Sequence, residues 1–384
     1  MRVFLIAGEA SGDRLGGALM AGLTTLRRDV RFDGVGGPQM QAAGLQSLFP
    51  MEELSVMGLA EILPKYRQLK RRIAQTADAV LAARPDVLIT IDSPDFCLRV
   101  ARRVRAVRTV RTVHYVAPTV WAWRPGRAAR MAPVIDQVLA LFPFEPPYME
   151  AAGMRCDFVG HPVVAEPVAT DAQVQALRDR YGLATSGNLL ILPGSRRGEV
   201  GRLMPVFGAA LTRILAEMPG LRPILPTVGP VAGMVREMAA DWPVPPVVIA
   251  PDDMNSAAYT TDKRAAFSLC DGALAASGTV SLELAAAGTP MVIAYDMNLL
   301  SRLIISRMLR VDTVTLVNLV SETRAVPEFI GGRCTPDLIA PAVLDMLRNP
   351  RMQEAAMRLT MQRLGQGGEP PGLRAARAVL DGMA

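Results

Sequence analysis

The chain contains two successive series of short, apolar, β-branched segments separated by longer helix-like segments. The predicted strands are 3–7, 87–91, 110–116 and 138–141 in the first series, and 189–192, 224–227, 247–249, 272–275 and 291–295 in the second. Strands that alternate with helices are typical of parallel α/β sheets. The sequence therefore predicts two Rossmann-like domains. The Gly160-His161-Pro162 turn and the strand-free stretch 167–171 form the predicted linker between them.

The composition indicates a globular, cytoplasmic protein. No uncharged run approaches the roughly 18 residues of a membrane-spanning helix, and the N-terminal residues lack the layout of a signal peptide. The four cysteines are far apart without a C-x-x-C pair, which predicts buried thiols and neither zinc nor a disulfide framework. The 42 basic residues are almost all arginine. Arginine suits phosphate binding, although genome base composition could give the same bias.

Polar residues follow the first predicted strand in the segment Gly8-Glu9-Ala10-Ser11-Gly12-Asp13. This small-residue turn carries two carboxylates and a hydroxyl. Ligands of doubly wound sheets bind beyond the carboxyl ends of the strands. The glycine spacing fits neither the dinucleotide fingerprint nor the P-loop. The segment therefore predicts a polar site of another kind.

Asp92 directly follows the predicted strand 87–91 and so lies at its carboxyl end. A carboxylate within hydrogen-bond reach of a substrate hydroxyl can act as a general base. Asp95, three residues later, could instead serve as a turn or helix cap. Asp92 is therefore the candidate base.

Two turns of the second series have the composition of phosphate sites. Gly194, Ser195 and Arg196 offer amides, a hydroxyl and a guanidinium group; the alternative is a solvated turn whose arginines pair with a nearby glutamate. Ser277, Gly278 and Thr279 precede a predicted helix whose Glu283 could accept ribose hydroxyls. The alternative there is a helix cap by Thr279, with Glu283 in solvent. Asn318 ends a predicted apolar strand at 315–318, where an amide is more often structural.

No metal or other cofactor is expected. The only histidines are His114 and His161, and the chain has neither an E-x-x-H pattern nor a D-x-D triplet. His114 lies within an apolar run and is predicted to be a satisfied core histidine. Arginine and backbone amides would then have to hold any nucleotide-sugar diphosphate.

Two stretches are candidates for acceptor or membrane contact. Segment 57–73 is basic and amphipathic, which suits anionic lipid but also an ordinary surface helix. Its candidate contacts are Leu59, Ile62, Leu63, Lys65, Leu69, Lys70 and Arg71. The second stretch contains Trp123 and Arg124, a combination that suits a phosphorylated lipid or sugar. As a nucleic-acid patch it is weak, because the basic residues are dispersed.

Several motifs together resemble those of the lipid-A-disaccharide synthase family. They are Gly8-Glu9-Ala10-Ser11-Gly12-Asp13, Met51-Glu52-Glu53-Leu54-Ser55-Val56-Met57-Gly58, Ile91-Asp92-Ser93-Pro94-Asp95-Phe96, Val120-Trp121-Ala122-Trp123-Arg124, Leu192-Pro193-Gly194-Ser195-Arg196 and Ala276-Ser277-Gly278-Thr279. Gly160-His161-Pro162 and Val317-Asn318-Leu319 fit as well. The resemblance covers nearly the whole chain, with no distinctive motif beyond about residue 330.

The resemblance implies an α/β protein of the GT-B class, with two Rossmann-like domains facing a central cleft. The expected parts are an acceptor- and membrane-facing domain at 1–165, a UDP-sugar-binding domain at 166–365 and a helical tail at 366–384. That tail would cross back to the first domain or be exchanged between the subunits of a homodimer. The expected location is the cytoplasmic face of the inner membrane of a Gram-negative bacterium, as a peripheral protein.

The implied reaction is a metal-independent, inverting transfer of 2,3-diacylglucosamine from its UDP derivative to 2,3-diacylglucosamine 1-phosphate. UDP is released and a β-1,6-linked lipid A precursor forms. The resemblance makes Asp92 the base and associates Glu9 and Ser11 with activity. It assigns donor binding to Gly194, Ser195, Arg196, Ser277, Gly278, Thr279, Glu283 and Asn318.

Other functions remain open from the sequence. The lipid-linked peptidoglycan glycosyltransferase and the UDP-N-acetylglucosamine 2-epimerase share the expected fold and a UDP-sugar. An epimerase would consume UDP-N-acetylglucosamine without any lipid acceptor. A binding protein without catalysis would not need Asp92.

Overall fold

A computed structural model describes residues 1–54, 59–121, 126–251, 256–297 and 311–383, with backbone only for 59–65. The chain divides into two compact units. The first unit comprises Met1–Ala165 together with Leu364–Ala384, and the second comprises Glu166–Arg363.

The first unit contains a seven-stranded parallel sheet in the order β3-β2-β1-β4-β5-β6-β7. Its strands are Arg2–Ala7 (β1), Arg31–Val35 (β2), Gln46–Ser47 (β3), Val87–Ile91 (β4), Arg111–Tyr115 (β5), Gln137–Ala140 (β6) and Arg155–Phe158 (β7). The central strand β4 is buried along its whole length. Because it has neighbours on both sides and is covered on both faces, four of its five residues are apolar and Thr90 is the exception.

Helices connect these strands. They are Ala10–Leu26 (α1), Pro38–Ala42 (α2), Leu59–Ala83 (α3), Pro94–Arg105 (α4), Gly126–Met131 (α5) and Pro146–Glu150 (α6), with 3₁₀ turns at Met51–Glu53 and Pro162–Ala165. The helix α4 shows why they pack on the sheet. It buries Cys97, Val100 and Val104 at helical spacing, while its four arginines lie at positions that are not buried.

The second unit contains a six-stranded parallel sheet in the order β10-β9-β8-β11-β12-β13. Its strands are Asn188–Leu192 (β8), Arg222–Pro226 (β9), Val247–Ile249 (β10), Gly272–Ala275 (β11), Met291–Tyr295 (β12) and Glu328–Ile330 (β13). Its described helices are Asp171–Tyr181 (α7), Arg197–Glu217 (α8), Gly229–Ala239 (α9), Ser256–Leu269 (α10), Val280–Ala287 (α11), Leu316–Ser321 (α12), Pro336–Arg348 (α13) and Arg351–Arg363 (α14), with a 3₁₀ turn at Gly331–Arg333. The prediction of two parallel α/β units is confirmed.

The last helix, Pro371–Asp381 (α15), packs against α1 in the first unit. A Cβ atom added to Gly22 of α1 would lie 2.6 Å from the carbonyl oxygen of Gly372, and one added to Gly372 would lie 2.6 Å from that of Ala18. The two backbones therefore approach closely at a pair of glycines. Gln137 also donates to the carbonyl oxygen of Ala378 at 2.8 Å, which ties α15 to strand β6.

The predicted strand at 315–318 is wrong. The structure places Leu316–Ser321 in helix α12, which starts after an extended Thr315. The carboxylate of Glu328 accepts the Thr315 backbone N–H at 3.1 Å and its hydroxyl at 2.7 Å, so it holds the start of this helix. A short apolar run does not distinguish strand from buried helix by its periodicity.

Within the described ranges, no helix combines the length and the apolar composition needed to cross a bilayer. The four cysteines are all buried.

Candidate active site

Asp92 lies immediately after β4 in an unusual backbone conformation. Its φ angle is +50° and that of Ser93 is +42°, a region that non-glycine residues occupy infrequently. The backbone N–H of Asp92 donates to the carbonyl oxygen of Tyr115 at 3.0 Å, and Asp92 Oδ1 accepts the N–H of Ser93 at 2.9 Å. The half-buried carboxylate is therefore fixed at the carboxyl end of a central strand. Left-handed residues of this kind concentrate at functional sites.

The loop after β1 lies directly beside Asp92. Strands β1 and β4 are parallel neighbours, with Ala7 opposite Ile91. A Cβ atom added to Gly8 would lie 2.5 Å from Ser93 Oγ, so the two loops are in close contact. A larger residue at position 8 would therefore crowd the side chain of Ser93 in the turn that carries Asp92.

Glu9 and Ser11 follow β1, and Asp92 follows the neighbouring strand β4, so all three lie at the carboxyl ends of adjacent strands. Glu9 is the residue that precedes α1 and is half-buried, and Ser11 is exposed in the first turn of α1. The amino end of a helix carries partial positive charge. The structure thus places the three predicted catalytic residues just after the adjacent strands β1 and β4 of the first unit.

Asp13, which the sequence grouped with these loop residues, has a structural environment. It is buried, and its carboxylate accepts backbone N–H groups of Gly37 at 2.8 Å, Gln39 at 2.9 Å and Met40 at 3.0 Å. These amides are at the amino end of α2, where they have no partners within the helix. Asp13 therefore joins α1 to α2.

The prediction that His114 is a satisfied core histidine is confirmed. It is buried, and its Nδ1 lies 2.7 Å from the hydroxyl of Thr90. Burial lowers the pKa of His114 to about 4, and burial also lowers the pKa of His161 to about 4. Among the described residues, no three His, Cys, Asp or Glu side chains are grouped as metal ligands.

Glu145 is a buried carboxyl group that the sequence did not indicate. Its Oε2 accepts the backbone N–H groups of Leu141 and Phe142, both at 3.0 Å. Burial raises the pKa of Glu145 to about 8, against the opposing effect of these two bonds. The indole N–H of Trp121 is buried and makes no hydrogen bond to the described residues. Nothing in the local sequence distinguishes Glu145 from a solvated turn residue.

The basic segment 57–73 lies largely in helix α3. Lys70 and Arg71 are exposed, as is Tyr66, whereas Leu69 packs against the core of the first unit. The remaining predicted acceptor contacts lie outside the described side chains; these are Leu59, Ile62, Leu63, Lys65, Trp123 and Arg124.

In the second unit, the turn after β8 surrounds a carboxylate. Gly194 has a φ angle of +103°. Glu199 Oε2 accepts the backbone N–H groups of Ser195 and Arg196, both at 3.3 Å, and Glu199 Oε1 pairs with Arg196 Nη1 at 3.0 Å. Arg196 remains largely exposed, at 65% of its side-chain surface. The donors predicted for a phosphate thus converge on an anionic group of the protein itself.

The turn at 277–279 follows the strand next to β8. Because β8 and β11 are parallel neighbours, with Leu192 opposite Ala275, this turn and the Gly194 turn are at one edge of the sheet. Gly278 has a φ angle of +152°, and Ser281 Oγ donates to its carbonyl oxygen at 2.9 Å. The structure therefore brings the two predicted phosphate turns together.

Glu283 lies in the first turn of α11 and pairs with Lys263 of α10. Lys263 Nζ is 2.6 Å from Glu283 Oε2, and both side chains are about one-third exposed, at 31% and 35%. The sequence gave no signal for Lys263, since the two residues are 20 positions apart.

Asn318 is fully buried and its side chain is bonded within the second unit. Its Nδ2 donates to the carbonyl oxygen of Val326 at 2.9 Å, and its Oδ1 accepts the N–H of Val326 at 3.0 Å. These bonds fix the segment that leads into β13. The amide is therefore committed to holding the backbone.

Comparisons with known proteins agree with this architecture. The family model described as lipid-A-disaccharide synthetase matches residues 3–372. A lipid-A-disaccharide synthase of Ruegeria pomeroyi is 66% identical over 99% of this chain and 95% of its own length. One from Rhodospirillum centenum is 48% identical over 99% of this chain and 94% of its own.

Solved structures show the same fold at low identity. A UDP-GlcNAc 2-epimerase from Neisseria meningitidis, bound to UDP-GlcNAc, is 11% identical with a TM-score of 0.64 and covers 99% of both chains. MurG from Acinetobacter baumannii is 13% identical with a TM-score of 0.57 and covers 99% of this chain and 98% of its own. These likenesses confirm the predicted GT-B fold. With the family match over nearly its whole length, the chain belongs to the lipid-A-disaccharide synthase family of glycosyltransferases.

Proposed function

We propose that this chain transfers 2,3-diacylglucosamine from its UDP derivative to the 6-hydroxyl of 2,3-diacylglucosamine 1-phosphate. The products are UDP and a β-1,6-linked lipid A disaccharide 1-phosphate. Family membership supports this reaction, because relatives with 66% and 48% identity are named lipid-A-disaccharide synthases.

The observation that carries the proposal is the fixed carboxylate of Asp92 at the carboxyl end of β4, beside Glu9 and Ser11. In the proposed mechanism, Asp92 accepts the proton of the acceptor hydroxyl as that oxygen attacks the anomeric carbon of the donor. The bond from this carbon to UDP breaks in the same step, and one direct displacement inverts the configuration.

Positive groups of the second unit are proposed to stabilise the departing UDP. The Gly194 turn already collects two amides and the Arg196 guanidinium around the carboxylate of Glu199. A diphosphate would take over these donors, with Ser277, Gly278 and Thr279 contributing from the neighbouring turn. Protein groups would thus carry out the charge stabilisation without a metal ion.

The remaining predicted residues have proposed roles of different kinds. Glu283 would accept the ribose hydroxyls of UDP. Asn318 would act indirectly, since its amide holds the backbone before β13. Exposed Lys70 and Arg71 of α3 would contact anionic lipid at the cytoplasmic face of the inner membrane.

The test is UDP release by the purified protein from UDP-2,3-diacylglucosamine, with and without 2,3-diacylglucosamine 1-phosphate. We expect acceptor-dependent release, with the disaccharide detected by mass spectrometry. Asp92→Asn should lower kcat by about 10²–10⁴-fold and leave UDP binding intact.

Asp95→Asn is the matched control, because Asp95 lies in the first turn of α4, three residues after Asp92, and its side chain is 92% exposed. It should leave turnover unchanged. Full activity of Asp92→Asn would remove the base assignment. Consumption of UDP-N-acetylglucosamine without a lipid acceptor would replace the proposed reaction with that of an epimerase.

A further inference from the structure

We propose that Lys263 is a positioning residue that holds the Glu283 carboxylate in place to accept the ribose hydroxyls of UDP. The inference rests on the proposed function, because it concerns the same nucleotide site. It adds a residue, on a different helix, to which the sequence assigned no role.

Lys263 is the middle one of three side chains that lie in a row along α10. Tyr259, Lys263 and Phe267 are spaced four residues apart and so share one face of this helix. Lys263 Nζ lies 5.2 Å from the centre of the Phe267 ring, and its bond to Glu283 Oε2 is 2.6 Å long. The ring and the carboxylate together restrict where the ammonium group can move.

Lys263 and Glu283 carry opposite charges in a partly buried environment. Glu283 is only about one-third exposed, at 35%, and its negative charge adds to burial in raising the pKa of the neighbouring Tyr259. Without a cation beside it, the Glu283 carboxylate would be free to take other rotamers. Lys263 supplies the compensating charge from a fixed direction.

The arrangement leaves Glu283 able to bind further donors. An ionised carboxylate has about four acceptor positions, and the bond to Lys263 engages Oε2. The 2′- and 3′-hydroxyls of a ribose present two adjacent donors. Bonds to a charged acceptor are stronger than bonds between neutral groups, so an oriented, ionised Glu283 discriminates ribose from its deoxy forms.

The experiment compares the binding of UDP and 2′,3′-dideoxy-UDP to the full-length protein by titration calorimetry. For the wild type we expect UDP to bind about tenfold more tightly. Lys263→Met should reduce this ratio to less than about a third of its wild-type value, and Glu283→Gln should do the same. The double variant should show no further loss, because both residues act on one interaction.

Two controls separate positioning from a general effect of charge. Lys263→Arg keeps the cation and should largely retain the ratio. Arg264→Met removes the next cation along α10 and should leave the ratio at its wild-type value. If Lys263→Met does not fold, Lys263→Gln provides the same comparison with a polar, uncharged side chain.

Equal weakening of both nucleotides by Lys263→Met would overturn the inference, since Lys263 would then act only on the phosphates or on the fold. An increased ratio would also overturn it, because Lys263 would be competing with the ribose. A wild type that makes the disaccharide but binds both nucleotides equally refutes this inference alone. A wild type that neither binds UDP nor forms product refutes the proposed function as well.

Discussion

Replacing Gly22 by alanine should destabilise the first unit at the crossing of α1 and α15. The added Cβ atom would lie 2.6 Å from the carbonyl oxygen of Gly372 and 2.9 Å from the Cβ atom of Ala376. The nearest obstacle is backbone, which cannot rotate away as the end of a flexible side chain can. The two helices must therefore separate to accommodate one methyl group.

The magnitude follows from two opposing contributions. Alanine favours a helix over glycine by about 1 kcal/mol. Overpacking of a close contact costs roughly 1–3 kcal/mol, and contact with backbone places Gly22 at the upper end of this range. We expect a net loss of about 2 kcal/mol in the free energy of unfolding of the first unit.

Gly233→Ala is the matched control. Gly233 is an exposed position within α9, and a Cβ atom added there meets no atom within 4 Å. This variant should gain up to about 1 kcal/mol, because only the helix preference acts. The two variants therefore make the same chemical change with opposite expected signs.

The assay is hydrogen exchange followed by mass spectrometry, together with urea unfolding. If α15 is held by this crossing, its amides in Gly22→Ala should exchange about 30-fold faster, which corresponds to about 2 kcal/mol. Those in Gly233→Ala should exchange as in the wild type. Unchanged protection of α15 in Gly22→Ala would refute the argument that the glycine pair fixes this helix.

Two further predictions concern buried carboxyl groups. Asp13→Asn should lower the free energy of unfolding by about 2 kcal/mol in urea titrations, because the amide keeps one acceptor oxygen but turns an N–H group towards the amide of Gln39; a neutral result would contradict the structural role of Asp13. Glu145 has an ordinary pKa of 4.5, which the fold raises to about 8, so its contribution to stability is present below about pH 4.5 and is lost as the pH rises to about 8. Glu145→Gln removes this titration, and its stability relative to the wild type should increase with pH over that window, by at most about 1.4 kcal/mol per pH unit. A constant difference between pH 5 and 8 would contradict the elevated pKa.

The sequence predicted the buried strands of both sheets better than their edges. Strand β4 was predicted with its observed bounds, because a fully buried strand is mostly apolar; Thr90 is the one polar residue in it. The edge strands β3, β7 and β13 were missed, as was β2 beside β3, whereas the edge strand β10 was predicted with its observed bounds. Strand β3 has only two residues, Gln46 and Ser47, and β13 contains Glu328, whose carboxylate holds the start of α12. These edge strands are only partly buried, so their residues need not be apolar and they give no apolar signal in the sequence.

The candidate site residues were likewise predicted only in part from the sequence. Asp92 in the first unit and the turns at 194–196 and 277–279 in the second could be located from the sequence. In each parallel sheet, polar residues that follow predicted strands lie together at the carboxyl ends of those strands. The position of a polar residue after a strand did not show whether its side chain binds a ligand or holds the backbone. Asp13 occurs in the same motif as Glu9 and Ser11, and Asn318 was itself predicted to bind the donor, yet the side chains of both bond to backbone groups.

The sequence by itself determined the two parallel α/β units, the family and the strand ends that carry the polar motifs. These features depend on local periodicity and on residues that are adjacent in the chain. Only the tertiary structure decided that Lys263 pairs with Glu283 and that a glycine crossing joins α15 to α1. It also showed the pairing of the Gly194 turn with Glu199, which the sequence had left as an alternative. Most of these pairings join distant positions, and their geometry depends on how helices pack on the sheets, which no local pattern encodes.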